Sequence, residues 1–553
     1  MAIFDLSNLD GINGFQISGL DLRGLLGDKV SKGGDINEDG FDDIIIGAID
    51  AGNSGKAYVI FGKDTSFSDF SLSNLDGTNG FAISGINEQD LLGSSVSSLD
   101  FNNDGFSDLL IGARTADPNS INNAGEVYLI FGRENGFTGN LDLSQLNGDN
   151  GFTINGVNSG DLAGFSVSNA GDVNGDGVED LIIGAHFADV ESNNEAGKSY
   201  VIFGQENANF APDFDLSTLD GTNGFVINGV SQKDFSGASV SSAGDINSDG
   251  IDDLIVGTNF ANNKAGASYV IFGKNTSFDA SLNLSELDGN DGFIINGLNS
   301  GDNFGISVSN LGDVNGDSID DIIIGAPQAT PGDRTKAGKA FVVFGSDAGF
   351  NSSLDLSELN GDNGFTINGV DIDDLLGIAV SDAGDVNRDH INDIIIGARN
   401  ANTEAGESYV IYGTNDFSAT LDLKNLNDNQ GFVIAGKQAG GFSGASVSAA
   451  GDVNGDGFDD LLIGAPQVEV DGLENAGESY VVFGSPIGVP IDEFLLGDVN
   501  KDTLLNELDS VAISRVAVGL DSEFAAFPGV NPLSIADMNG NGEISAFDAY
   551  LVL

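Results

Sequence analysis

The chain of 553 residues has no cysteine and no tryptophan, two methionines, two histidines, and 20 basic side chains against 85 acidic ones. Without cysteine there are no disulfides, no thiolate metal sites and no thiol nucleophile. With only His186 and His390, zinc binding and histidine-based catalysis have little to build on. A net charge of −65 leaves no basic face for nucleic acid or an anionic membrane surface. It favours cationic partners, divalent metals first. No apolar run is long enough to span a bilayer. The opening M-A-I-F-D-L-S has neither the basic nor the apolar region of a secretory signal, so no such signal is expected.

What is present is regular. Hydrophobic residues make up 40%, enough for a core, and 80 glycines signal many tight turns. The apolar load rests on Ile, Leu, Val and Phe, a β-rich composition. The segment F-D-L-S-N-L-D-G-I-N-G-F-Q-I-S-G at 4–19 returns at 70–85, 141–156, 214–229, 282–297, 354–369 and, more loosely, 421–436. Acidic runs of the type G-D-V-N-G-D-G-V-E-D-L-I-I-G-A begin at Asp35, Asp100, Asp172, Asp245, Asp313, Asp385 and Asp452, spaced by 65, 72, 73, 68, 72 and 67 residues. Phrases of the type S-Y-V-I-F-G end at Gly62, Gly132, Gly204, Gly273, Gly345, Gly413 and Gly484.

A period this long, with four strand-like runs in each unit, predicts a mainly β, seven-bladed propeller over 1–484. The first copy of the outermost strand, 14–19, precedes the first blade, and the seventh blade lacks a following copy. Residues 14–19 are therefore expected to complete the seventh blade and close the ring.

The acidic runs fit D-x-N-x-D-G-x-x-D. Their oxygen-bearing side chains are Asp35, Asn37, Asp39 and Asp43; Asp100, Asn102, Asp104 and Asp108; Asp172, Asn174, Asp176 and Asp180; and Asp245, Asn247, Asp249 and Asp253. The last three sets are Asp313, Asn315, Asp317 and Asp321; Asp385, Asn387, Asp389 and Asp393; and Asp452, Asn454, Asp456 and Asp460. Alternate residues of a curling loop converge on one point, and this number of hard oxygen ligands suits Ca²⁺. Position seven would add a backbone carbonyl. It is Phe41, Phe106, Val178, Ile251, Ile319, Ile391 or Phe458, apolar in every copy and expected to anchor the loop in the core. A lone copy is an ordinary Asx/Gly surface turn; seven copies in one register, each entering the same strand, are not. Position six requires a left-handed backbone, so Ser318 and His390 mark the fifth and sixth sites as weaker. His390 reads as a turn residue, and His186 as a surface loop residue.

The order of strand, acidic loop and Gly-Ala-Pro resembles the FG-GAP repeat of integrin α-subunit propellers and related bacterial proteins. Gly325-Ala326-Pro327 and Gly464-Ala465-Pro466 carry it literally, and Phe304-Gly305 carries the Phe-Gly element. The resemblance covers about 4–484 and implies a seven-bladed propeller. Integrin α-subunits carry calcium loops in only some blades, whereas this chain has one in all seven, so calcium is expected to act as general scaffolding.

Residues 485–496 read as a linker. Two loops with twelve-residue, EF-hand-type spacing follow in 497–553: Asp498, Asn500, Asp502, Asn506 and Asp509 with the carbonyl of Leu504, then Asp537, Asn539, Asn541, Ser545 and Asp548 with that of Glu543. A duplicated loop–helix unit over 494–553 is similar to a dockerin, the small α-helical calcium-folded domain that binds a cohesin. Where a dockerin often has a Ser-Thr recognition pair, the two loops carry Glu507-Leu508 and Ala546-Phe547, which makes Leu508 and Phe547 unusual apolar residues at equivalent places. They are either partner-binding residues or packed inside the domain.

About nine Ca²⁺ sites result. Clustered carboxylates repel without metal, so folding is expected to require calcium and to occur outside the cell. The tail F-D-A-Y-L-V-L is a candidate C-terminal export signal. Function is expected to be structural or adhesive. The dockerin-like domain would dock the propeller to a neighbouring copy, giving a head-to-tail filament or tube. The alternative is a cohesin-recruited carbohydrate- or protein-binding module. A polysaccharide-active enzyme is disfavoured, because no acid/base pair or nucleophile stands apart from the repeats.

Overall fold

The computed structural model describes residues 2–485 except 66, 68, 69, 135 and 207–209. The expected dockerin-like domain and all of the linker but Ser485 lie outside the described residues.

Seven twisted sheets make a seven-bladed β-propeller. The third blade shows the pattern. Ser166–Gly171 lines the central channel, and Asp180–Ala185, Lys198–Ile202 and Gly224–Asn228 follow outward, each antiparallel to the last. The second strand of every blade is buried along its whole length, which is why it reads D-[IL]-[IL]-[IV]-G-[AT] without alternation.

Most blades have a fifth strand that the repeat pattern alone does not announce. In the third blade it is Ser281–Asn283, running parallel to the fourth. It belongs to the link between the third and fourth strands of the next blade, which swings back across the open edge. An unpaired edge offers a row of free backbone groups, and three residues of the passing link satisfy them. A short 3-10 turn follows, usually capped by aspartate: Asp215 accepts from the Ser217 amide. A phenylalanine of the same link stacks on one in the fourth strand, as in Phe225–Phe278 at 4.5 Å between centroids.

The N-terminal segment supplies the missing edges of two blades. Gly14–Ser18 pairs antiparallel with Glu478–Val482, and Ile3–Asp5 pairs parallel with Gly431–Ala435. Phe15 and Ile17 thereby enter one cluster with Leu26, Ile44, Leu462 and Val481 from the first and seventh blades. The cores lie between blades, so each blade is stable only in the company of its neighbours.

Blade contact is closest where two glycines meet. A Cβ on Gly184 would fall 2.1 Å from the Gly237 carbonyl oxygen of the next blade, and one on Gly464 would fall 2.0 Å from that of Gly27. This explains the glycine of the G-A-P phrase: any side chain would wedge the ring apart.

Candidate metal centres

All seven acidic runs sit at one corner of their blade, between the channel strand and the second strand. In each, the first aspartate accepts the amide of position six at 2.7–2.9 Å. It also accepts the amide of position five at 2.9–3.1 Å. The position-five carboxylate accepts the amide of position seven at 2.9–3.1 Å. Each loop thus curls around its own carboxylates.

The ninth-position aspartates Asp43, Asp108, Asp180, Asp253, Asp321, Asp393 and Asp460 are all 0% exposed. One oxygen of each accepts the amide of the glycine that ends the third strand, at 2.8–3.0 Å. In six loops the other oxygen accepts the position-two amide. Burial raises their pKa values, and the position-one and position-five carboxylates of the same loop raise them further. Asp180, Asp321 and Asp393 are pushed up to about 8, and Asp253 to about 9.

The left-handed backbone extends further than the motif suggests. Position six has positive φ throughout, including Ser318 at 69° and His390 at 71°. Position four has it too: Glu38, Asn103, Gly175, Ser248, Gly316, Arg388 and Gly455.

Two placements differ from the sequence reading. The residue that anchors each loop in the core is position two, not position seven. Ile36, Phe101, Val173, Ile246, Val314, Val386 and Val453 are at most 1% exposed. Position seven is only half-buried in six of seven loops, Val178 being the buried one. Its side chain leans on the preceding loop: a Cβ on Gly455 would meet the Phe41 ring at 2.4 Å. His186 is not a surface residue. It is 7% exposed and packed against Phe165 and Phe187, with ring centroids at 3.8 and 4.1 Å.

Position eight escaped the sequence reading altogether. The first-position amides of Asp100, Asp172, Asp245, Asp385 and Asp452 donate to Glu179, Asp252, Asp320, Asp459 and Asp42, each from the following blade, at 2.6–2.9 Å. The signal was available in the repeats, since five of the seven carry an acid there.

Three carboxylates, an amide oxygen and a backbone carbonyl per loop form a hard-oxygen donor set, and each buried ninth-position oxygen keeps a lone pair beyond its amide bond. By their chemistry these donors suit Ca²⁺. In the third, fourth, fifth and seventh loops, Asn174, Asn247, Asn315 and Asn454 turn their amide nitrogens toward Asp180, Asp253, Asp321 and Asp460, where a cation would require the oxygen. Among the described residues no group of three His, Cys, Asp or Glu side chains forms a ready-made metal cage. The remaining candidate ligands, Asp498 to Asp509 and Asp537 to Asp548, lie outside the described residues, as do Leu508 and Phe547.

A ring of seven such sheets, each with the same acidic loop at the same corner, defines an integrin α-like β-propeller. The FG-GAP repeat model matches residues 92–130, 163–202, 236–271, 304–343 and 443–482, and the dockerin type I domain model matches 496–553. The protein is an FG-GAP propeller with a C-terminal dockerin domain. The first and sixth blades share the geometry without a match of their own. Among curated proteins, the chain is 27% identical over 341 residues to the phosphatidylinositol-glycan-specific phospholipase D of Dictyostelium discoideum, covering 58% of this chain and 34% of that protein. It is 33% identical over 159 residues to the Bos taurus protein of the same name, covering 28% and 18%. It is 31% identical over 184 residues to integrin alpha ina-1 of Caenorhabditis elegans, covering 32% and 16%. The chain thus spans between 16% and 34% of the length of these relatives.

Proposed function

We propose that this protein is a calcium-stapled extracellular platform that its dockerin domain docks to a partner. FG-GAP and dockerin domains typically bind calcium and are typical of extracellular proteins, and their pairing suggests a cohesin-binding or adhesive, non-enzymatic module. The phospholipase D relatives are distant and share only the propeller region.

The observation that carries the calcium reading is the buried ninth-position carboxylate. Seven such groups, each facing two further carboxylates, are unfavourable to ionise without a compensating cation. The positions that would hold the ion are one, three, five and nine through side chains, and seven through its carbonyl. A bound Ca²⁺ supplies the positive charge that lets all three carboxylates ionise together. The protein's part is to pre-curl the loop with amide donors, so that little reorganisation accompanies binding.

The partner is a neighbouring copy, and the assembly is head-to-tail. Ser485, the last described residue, donates its amide to the Val386 carbonyl at 3.1 Å and so lies on the loop face. The fourth strands run away from that face, and the turns after them expose Leu20, Leu22, Ile86, Leu298 and Ile372, all at least 44% accessible. An apolar rim on one face only favours heterologous contacts, which propagate. The second reading keeps the same dockerin and gives it a cohesin-like protein as partner.

Electron microscopy and light scattering of the full chain at millimolar calcium, then in EGTA, test this. Filaments or tubes that dissolve in EGTA are expected. Monomers in both, with cohesin binding, would replace self-assembly by the second reading. Unchanged circular dichroism and melting temperature in EGTA would overturn the calcium reading.

A further inference from the structure

Each loop is gripped by the blade that follows it. In all seven, the residue after the third strand's terminal glycine donates its amide to the position-two carbonyl of the preceding loop: Lys63, Arg133, Gln205, Lys274, Ser346, Thr414 and Ser485. The position-eight link is different, because it is not present at every interface. Asp100, Asp172 and Asp245 donate to Glu179, Asp252 and Asp320, which ties the second, third, fourth and fifth blades in series. Asp385 and Asp452 donate to Asp459 and Asp42, which ties the sixth, seventh and first.

At the two remaining interfaces position eight is Ser107 and Asn392. Neither side chain accepts from the amides of Asp35 and Asp313. Between these loops the bonds are backbone ones, Ser107 amide to Asp35 carbonyl at 3.0 Å and Asn392 amide to Asp313 carbonyl at 3.1 Å, while nearer the channel Ser98 Oγ donates to the Lys32 carbonyl and the Val380 amide to Ser307 Oγ, both at 3.1 Å. The side chain of Asn392 turns its amide nitrogen toward Gly312, where a Cβ would fall 2.5 Å from it.

We infer that the propeller is mechanically two arcs, the second to fifth blades and the sixth, seventh and first, joined at seams marked by Ser107 and Asn392, and that the loops fill and empty with metal arc by arc. A charge-assisted hydrogen bond is roughly twice as strong as a neutral one, so at the loop corner the five carboxylate-capped junctions outlast the two that lack the cap; the bidentate Arg334–Asp422 pair at 2.8 Å, which joins the fifth blade to the sixth blade's link, lies at the opposite end of the strands. A first-position amide held by the next blade's carboxylate fixes the start of its loop. Order in one loop is thereby passed to the next along an arc and stops at a seam. The calcium part of this inference rests on the proposed function; the seams rest on hydrogen bonds alone.

Hydrogen exchange of the full chain, read by mass spectrometry during an EGTA titration and separately in low urea with calcium present, tests it. Peptides spanning 33–43, 104–110, 310–320 and 388–394 are expected to exchange about tenfold faster than their counterparts in the other blades. The double variant Ser107→Asp, Asn392→Asp is expected to remove that difference. Uniform loss of protection around the ring under both conditions would overturn the seams. Early opening at the seams in urea with no response to EGTA would retain them and overturn the calcium reading and the arcwise filling. Uniform opening in EGTA with seams in urea would overturn arcwise filling alone.

Discussion

The Asp452 amide donates to Oδ2 of Asp42 at 2.9 Å, across 410 residues of sequence, and the Asp42 amide returns a bond to the Asp452 carbonyl at 3.3 Å. This exchange joins the last acidic loop to the first blade. It works only if the N-terminal strand holds the two blades together, because Phe15 and Ile17 fill the core between them.

Removal of residues 2–20 is therefore expected to lower the melting temperature in calcium by at least about 5 °C, since it strips edges from two blades and opens an interblade core. Differential scanning calorimetry checks this. A melting temperature within a degree of the full chain would show that the terminal strands are dispensable.

The buried carboxylates give metal-free protein an unusual pH dependence. The folded-state pKa of Asp180 is raised to about 8 and that of Asp253 to about 9, against about 3.9 for an unfolded aspartate. A raised folded-state pKa means the folded protein holds the proton more tightly. The stabilisation is complete below about pH 4 and is lost as pH rises through 8 to 9. In EGTA the melting temperature is expected to fall between pH 6 and 9. In calcium that fall should vanish, because metal replaces the protons, and calcium affinity should rise over the same range. Parallel melting curves with and without calcium would refute the coupling.

Ser318 and His390 occupy left-handed positions at φ of 69° and 71°, where the other five loops have glycine. Ser318→Gly and His390→Gly are each expected to stabilise the protein by about 0.5–1 kcal/mol through relief of backbone strain. Each should also tighten calcium binding at its own loop. Urea midpoints and calorimetric calcium titrations measure both, and destabilisation by either glycine would show that the side chain is engaged.

Legibility in the sequence followed periodicity. Blade number, the four inner strands and the loop spacing all repeat, so one register of Asp43, Asp108 and Asp180 against a D-L-I-I-G-A strand predicts the rest. What the repeats carried without announcing was contact with the next repeat. Asp42 and Asp252 look like solvated loop acids because their amide partners lie in another blade. The fifth strand was hidden for the same reason: Ser281–Asn283 pairs with Gly224–Asn228 of the preceding blade, not with its own. Position seven was mistaken for the anchor because every copy is apolar. Position two is equally apolar, and only the strand geometry turns it inward.

His186 was misread because the phrase G-A-x opens a loop, and loops usually lie at the surface. Here Phe165, Phe187 and Phe235 close over the imidazole, and Nδ1 has no hydrogen-bond partner. Burial, with the nearby Arg114 charge, pushes its pKa down to about 4. A lowered folded-state histidine pKa means that protons favour the unfolded chain. Its stabilisation is present above pH 6.5 and is lost as pH falls toward 4, by up to about 3 kcal/mol. His186→Phe fills the same aromatic cluster without a titrating group or an unpaired nitrogen. The variant is expected to match or exceed the parent at pH 7.5 and to gain on it steadily down to pH 4.5. Urea denaturation of both proteins in calcium at several pH values measures the difference, which isolates His186 from the carboxylates common to both. A difference that does not change with pH would mean the imidazole is solvated and the cluster open.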